Sequence, residues 1–210
     1  NFQLTGSPTK WLDLIGRVGI DHYSEQRSQF LTPGSAAGEF RAGYLDQELA
    51  TNTIFNMDYI AKANFELSNN FNLDALVGFN YNSLKRVVNG TVATNFIQFV
   101  DVDSGIRDID NSLPENITAT STVGRERTAA VYSSMTLSAY EMFFMTNTIR
   151  VESASTFGNT SNNTFMFPST SIAWQFSELF NKSNTVFTFG KLRGSYGEVG
   201  VQPARFNTTN

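Results

Sequence analysis

Four carboxylates fall within ten residues at Asp101, Asp103, Asp108 and Asp110. Calcium takes roughly six to eight oxygen ligands, and alternating aspartates can supply several of them. The EF-hand pattern, however, needs a third ligand before its glycine and a bidentate Glu at its end. Neither is present, and Arg107 places a cation among the would-be ligands, so a solvated acidic loop is the better reading. Asp13, Asp21 and Asp58 have the chemistry of a glycosidase acid and base, which act when ~5–9.5 Å apart. Spacing along strands brings carboxylates to such distances by chance. His22 is the single histidine of the chain, and there is no cysteine. Multi-histidine metal sites, thiolate chemistry and disulfides are therefore excluded together. By parity His22 falls with Leu14, Val18 and Ile20, which fits an interfacial histidine better than a catalytic triad. Gly190-Lys191-Leu192 lacks the spacing and the hydroxyl of a phosphate-binding loop. The expectation is a protein that is not an enzyme and needs no cofactor.

The elements that would carry these residues are strands. From Phe55 to Leu67 every odd position is apolar (Phe55, Met57, Tyr59, Ala61, Ala63, Phe65, Leu67), while all the even positions but Ile60 are polar. Strict period-two alternation marks a strand whose two faces meet unlike surroundings. Phe71, Leu73, Ala75, Val77, Phe79 and Tyr81 repeat it, as do Leu12–Ile20, Thr128–Ser138, Met142–Glu152, Phe165–Phe176 and Val186–Glu198. With Phe2–Leu4 these make seven strands and part of an eighth. Short connections are expected at Gly6–Lys10, Ser68–Asn70, Ala139–Glu141 and Ser177–Thr185, the last holding a helical turn at Glu178–Phe180. Long ones are expected at Glu25–Asn52 and Val87–Arg125, with a smaller one at Ser153–Thr164. Short turns on one side, long loops on the other and strands of ~9–11 residues are the pattern of an outer-membrane barrel. Aromatics near strand ends (Trp11, Tyr23, Phe55, Phe65, Phe71, Tyr81) match interfacial girdles.

Composition agrees. The 210 residues hold 16% charged side chains but 63 Asn, Ser and Thr and 19 Phe, against ~25% charged residues in ordinary soluble domains. A net charge of −4 offers no basic surface to nucleic acid. No run approaches the ~18 apolar residues of a membrane helix, a criterion that leaves barrels untouched. The opening residues lack a basic segment followed by an apolar core, so no signal peptide is read. The chain opens inside a strand pattern, and we expect it to be a piece of something longer.

The last third carries a resemblance. Phe165-Met166-Phe167-Pro168-Ser169-Thr170-Ser171-Ile172-Ala173-Trp174 resembles the phenylalanine-proline-serine strand of SusC/RagA-type TonB-dependent outer-membrane transporters. Lys191-Leu192-Arg193-Gly194-Ser195-Tyr196-Gly197-Glu198-Val199-Gly200 resembles that family's lysine-leucine-arginine strand and its tyrosine-glycine-x-valine-glycine ending. Arg150-Val151-Glu152-Ser153-Ala154-Ser155-Thr156-Phe157-Gly158 is similar to its arginine-x-aspartate-x-serine-serine segment, departing at Glu152 and at Thr156. Lys10-Trp11-Leu12 and Gly19–Ser24 also fit. The resemblance implies an all-β fold, an antiparallel transmembrane barrel segment of about 7–8 strands from a 22-stranded wall, with short periplasmic turns and long extracellular loops. At roughly 26 residues per strand and loop, such a barrel needs on the order of 570 residues. Residues 1–210 would then be a partial barrel domain, with plug, signal peptide and remaining strands elsewhere.

The function implied is TonB-dependent import of glycan oligosaccharides or peptides across the cell outer membrane. The implied partners are a SusD-like surface lipoprotein, the TonB complex through the plug region, and outer-membrane lipid. Asp13, Arg17, Asp58, Lys62, Asn80 and Arg150 are the lumen-facing candidates. Phe167, Pro168, Ser169, Trp174, Lys191, Leu192, Arg193, Tyr196, Gly197 and Gly200 carry the motifs as structural residues. The competing reading is a soluble all-β carbohydrate-binding or adhesion module, since alternation also describes any half-buried antiparallel sheet.

Overall fold

A computed structural model describes residues 1–36, 42–97, 107–157, 163–179 and 189–201. Asp101, Asp103, Phe180 and the expected strand onset at Val186 lie outside the described residues. Eight strands form one antiparallel sheet in chain order: β1 Phe2–Thr9, β2 Leu12–Leu31, β3 Tyr44–Ser68, β4 Phe71–Thr94, β5 Ile117–Ala139, β6 Phe143–Ala154, β7 Thr164–Trp174 and β8 Leu192–Gly197. The order is a meander, and β1 and β8 each have a single neighbour, so the sheet is open. Short 3-10 turns occur at Ile109–Asn111, Pro114–Asn116, Ser155–Phe157 and Phe176–Leu179. The last replaces the expected turn at Glu178–Phe180.

The chain divides into two compact units. The first holds Asn1–Ile20, Phe55–Ser83 and Glu126–Asn210. Its strand registers show why alternation was visible in the sequence. Val131 pairs with Val151, and Leu137 with Met145. Met145 in turn meets Ile172, and Ile149 meets Pro168. Directly paired residues share a face, so these form one apolar surface. The opposite surface carries Tyr132, Ser134, Thr136, Thr146, Thr148, Arg150 and Ser169. On β6 burial alternates strictly from Phe143 to Arg150, with apolar Phe143, Met145 and Ile149 exposed and the polar-face residues half-buried. The apolar side is the open one, the reverse of a soluble sheet.

One expected turn moved, and another stands where expected. β1 continues to Thr9 with a register shift between Gly6 and Thr9, so the reversal is Lys10-Trp11 rather than Gly6–Lys10. Pro8 lacks a ladder donor, but an edge strand absorbs that as an irregularity rather than ending. Between β5 and β6 the reversal uses Tyr140 and Glu141, both left-handed at φ 55° and 56°, with the Met142 N–H donating to the Ala139 carbonyl at 3.1 Å. Two left-handed central residues match the right-handed strand twist.

The second unit holds Asp21–Ile54 and Leu84–Arg125. Here the long loops expected at Glu25–Asn52 and Val87–Arg125 are corrected: the strands run on, leaving connections of residues 32–43 and 95–116. β2 to β5 reach 20, 25, 24 and 23 residues. The unit has a small core of Leu45, Ala93 and Phe96, flanked by Phe30, Ile109 and Ile117. Phe30 stacks on Phe96 at 5.9 Å, and the Arg107 guanidinium lies 4.9 Å above the Phe30 ring. Gly43, at φ +96°, leaves the space that the Phe96 ring occupies. The Phe96 N–H donates to Ala42 and the Ile97 N–H to Asn111, both at 2.8 Å. The two connections are thereby tied to one another.

Candidate functional site

The candidate site is the polar face of the first unit, built by pairs that reach from strand to strand. Arg17 Nε donates to Gln3 Oε1 at 2.9 Å, as their register pairing allows. Asn80 Nδ2 donates to Asp58 Oδ1 at 2.8 Å. Asn82 to Asn56, and Asn64 to Asp74 at 2.6 Å, repeat this link along β3 and β4. Ser134 meets Thr148 at 3.3 Å and Thr136 meets Thr146 at 3.0 Å across β5 and β6. Neutral amides and hydroxyls thus satisfy one another, the Asp58 and Asp74 carboxylates accept from neutral amides, and Arg17 donates to a neutral one.

Tyr132 and Arg150 sit opposite each other in register. The guanidinium carbon lies 5.9 Å from the Tyr132 ring centre. Arg150 donates through Nε at 2.9 Å and Nη2 at 2.6 Å to a single oxygen of Glu152. The Tyr132 ring fills the place a side chain at Gly78 would need. A side chain on β4 at this point would have to displace that ring. Nearer the short turns, Asp13, Lys62, Asn64, Asp74, Ser134 and Thr136 share a cleft of about 350 Å³, where Ser7 Oγ donates to Asp13 at 2.6 Å.

Aromatic pairs border this region at two levels. At the short-turn end Trp11 stacks on Phe65 at 5.4 Å, Phe71 meets Tyr140 at 5.3 Å, and Phe143 stacks on Trp174 at 5.7 Å. At the other end Phe55 meets Tyr81 at 6.2 Å. Phe55 and Phe65, and likewise Phe71 and Tyr81, are ten residues apart, which is roughly 33 Å of strand.

The other sequence candidates fall elsewhere. Asp108 caps a 3-10 turn, accepting from the Asp110 N–H at 3.5 Å. Among the described residues no group of three His, Cys, Asp or Glu could hold a metal ion, and Asp101 and Asp103 lie outside them. His22 Nδ1 is 3.0 Å from Thr53 Oγ1. Among the motif residues, Pro168 and Trp174 lie on the apolar face, with Leu192 and Tyr196 beside them through pairing to Trp174 and Thr170. Ser169 and Arg193 lie on the polar face. Lys191 Nζ is 5.1 Å from the Phe144 ring centre, and a Cβ on Gly197 would stand 3.1 Å from that of Ser169. Phe144, Phe165 and Phe167 also lie on the polar face, so aromatics are not confined to the apolar side. Parity within each strand agrees, setting Phe144 with Thr146 and Phe165 and Phe167 with Ser169 and Ser171.

The fold and its two unlike faces define an open antiparallel meander of the transmembrane-barrel class, with its apolar surface exposed. Among solved structures the chain is similar to a chain of the RagAB peptide transporter: the TM-score is 0.79 at 18% identity, covering 93% of this chain and 21% of that one. It is similar also to the RagAB peptide importer in the closed-closed state (TM-score 0.77, 17% identity) and the open-open state (TM-score 0.76, 17% identity), with the same coverage. The chain thus spans about one fifth of the length of these neighbours, and the likeness establishes the fold. It matches no protein-family model and no curated protein.

Proposed function

We propose that residues 1–210 form part of the barrel wall of a TonB-dependent outer-membrane transporter of the SusC/RagA type, importing peptides or glycan oligosaccharides with a SusD-like surface lipoprotein. The observation that carries this is the spacing of the aromatic belts. Roughly 33 Å of strand between belts, tilted by ~35–45°, gives the ~25 Å apolar band of an outer-membrane barrel. Between the belts the apolar residues are exposed, as Tyr59 (55%), Val77 (55%) and Val131 (53%) show. The likeness to the RagAB peptide transporter, together with the motifs of β7 and β8, supports the substrate class and the partner.

In this reading the apolar face meets lipid. Asp13, Arg17, Asp58, Lys62, Asn80 and Arg150 face the lumen or the plug. The two RagAB states match nearly equally well, which fits a wall that stays fixed while other parts move. A soluble binding module would need a second layer on the apolar face, and the described residues supply none. Membrane fractionation of the full-length protein tests the proposal. It should sediment with outer membranes, require detergent, and migrate faster on gels before heating than after. A detergent-free soluble monomer would sink it.

A further inference from the structure

The aromatic residues on the polar face pose a question that wall-building does not answer. Register sets Phe165 opposite Glu152 and Phe167 opposite Arg150, on the side of Ser169 and Ser171. Phe157, in the 3-10 turn after β6, lies 4.5 Å from Phe165, centre to centre. With Glu152, Gly200 and Val201 these three rings line a cavity of about 160 Å³. The chain beyond β8 closes one side: a Cβ on Gly200 would stand 2.7 Å from the Phe167 ring, so glycine admits the backbone there. Phenyl rings turned toward the polar surface lose contact with apolar neighbours unless something apolar covers them.

We propose that this cavity receives an apolar side chain of a peptide substrate, and so deepens the transport reading, on which it rests, by favouring peptide over glycan. The size admits a leucine-like side chain or a single sugar ring alike, so chemistry decides. A pyranose carries several hydroxyls, and the lining offers one carboxylate, already receiving two bonds from Arg150. Hydroxyls placed against phenyl rings would surrender water without a replacement. The Arg150 partner also neutralises Glu152, so the site favours an uncharged occupant. The cavity lies at the end of β6 and β7 away from the short Tyr140–Met142 turn, on the extracellular side of the proposed barrel. That position suits early selection of cargo.

The test uses the full-length transporter purified in detergent with its lipoprotein, and fluorescent nonapeptides of Gly and Ser differing only in a central Leu or Ser. The Leu peptide should bind about tenfold more tightly, the scale expected for burying one such side chain. Phe165→Ser should bring the ratio near one while the heat-modifiable migration persists. Should Phe165→Ser disturb assembly, Phe157→Ser, outside the strand ladder, should do the same. A linear gluco-oligosaccharide should leave the Leu peptide bound. A Leu-to-Ser ratio near one in a folded, detergent-requiring wild type would overturn this proposal alone. So would a ratio unchanged in the folded variants, or displacement by the oligosaccharide. A protein needing no detergent would overturn the transport reading and this proposal with it.

Discussion

Ala61 and Lys62 are adjacent in β3, yet the pleat sends their side chains to opposite solvents. Ala61 belongs with Tyr59 and Val77, and Lys62 with the polar cleft. A cation on the lipid face costs ~2–4 kcal/mol near the midplane. Ala61→Arg should therefore abolish most of the heat-modifiable species in the full-length protein, and Lys62→Ala should leave it intact; equal tolerance would refute the face assignment. Gly78 offers a second test at this scale. The Tyr132 ring occupies the space any side chain there would need, so Gly78→Val should destabilise by about 1–3 kcal/mol of overpacking, seen as a lower urea midpoint in detergent. Tyr132→Ala in the same chain should recover part of the loss.

The strands of the two units were legible to different degrees for a physical reason. Alternation appears only where two faces meet unlike surroundings. From Phe55 to Leu67 they do, and the strand could be read residue by residue. From Ile117 to Arg125 nearly every residue of β5 is exposed on both faces. Thr118-Ala119-Thr120-Ser121-Thr122 then has no reason to alternate, and the stretch reads as loop. Backbone ladders extend the strand regardless of side-chain pattern. Tyr44–Asn52 and Val87–Thr94, which the sequence assigned to loops, are instead mostly half-buried or buried on both faces, so no clean alternation marks them either. Phe96 is the residue that organises the second unit, with 3% exposure. Phe96→Ala should remove about 3–5 kcal/mol of local packing. Limited proteolysis of the reconstituted protein should then cut within residues 32–43 or 95–116, with barrel migration unchanged; protection equal to wild type would show the small core to be dispensable.

At the scale of the whole molecule, the sheet of the described residues leaves β1 and β8 with unpaired backbone groups along one side. Lipid offers no partner for such groups, and in water they pair with other chains. Residues 1–210 expressed alone should therefore aggregate, or refold into detergent without a heat-modifiable band. A stable monomeric barrel from this chain would contradict the reading of it as part of a larger wall.

The sequence by itself determined the strands of the first unit, their two faces, the positions of the short turns to within a few residues, and the motif strands β7 and β8. These are local properties, fixed by period-two pattern, proline and turn residues. The polar candidates Arg17, Asp58, Asn80 and Arg150 were legible because parity alone sorts them. Tertiary structure decided which polar residues bond across strands, how far β2 to β5 extend, and that Phe157, Phe165 and Phe167 meet around one cavity. Those depend on register, and register is a relation between strands distant in sequence. No single strand's pattern contains it.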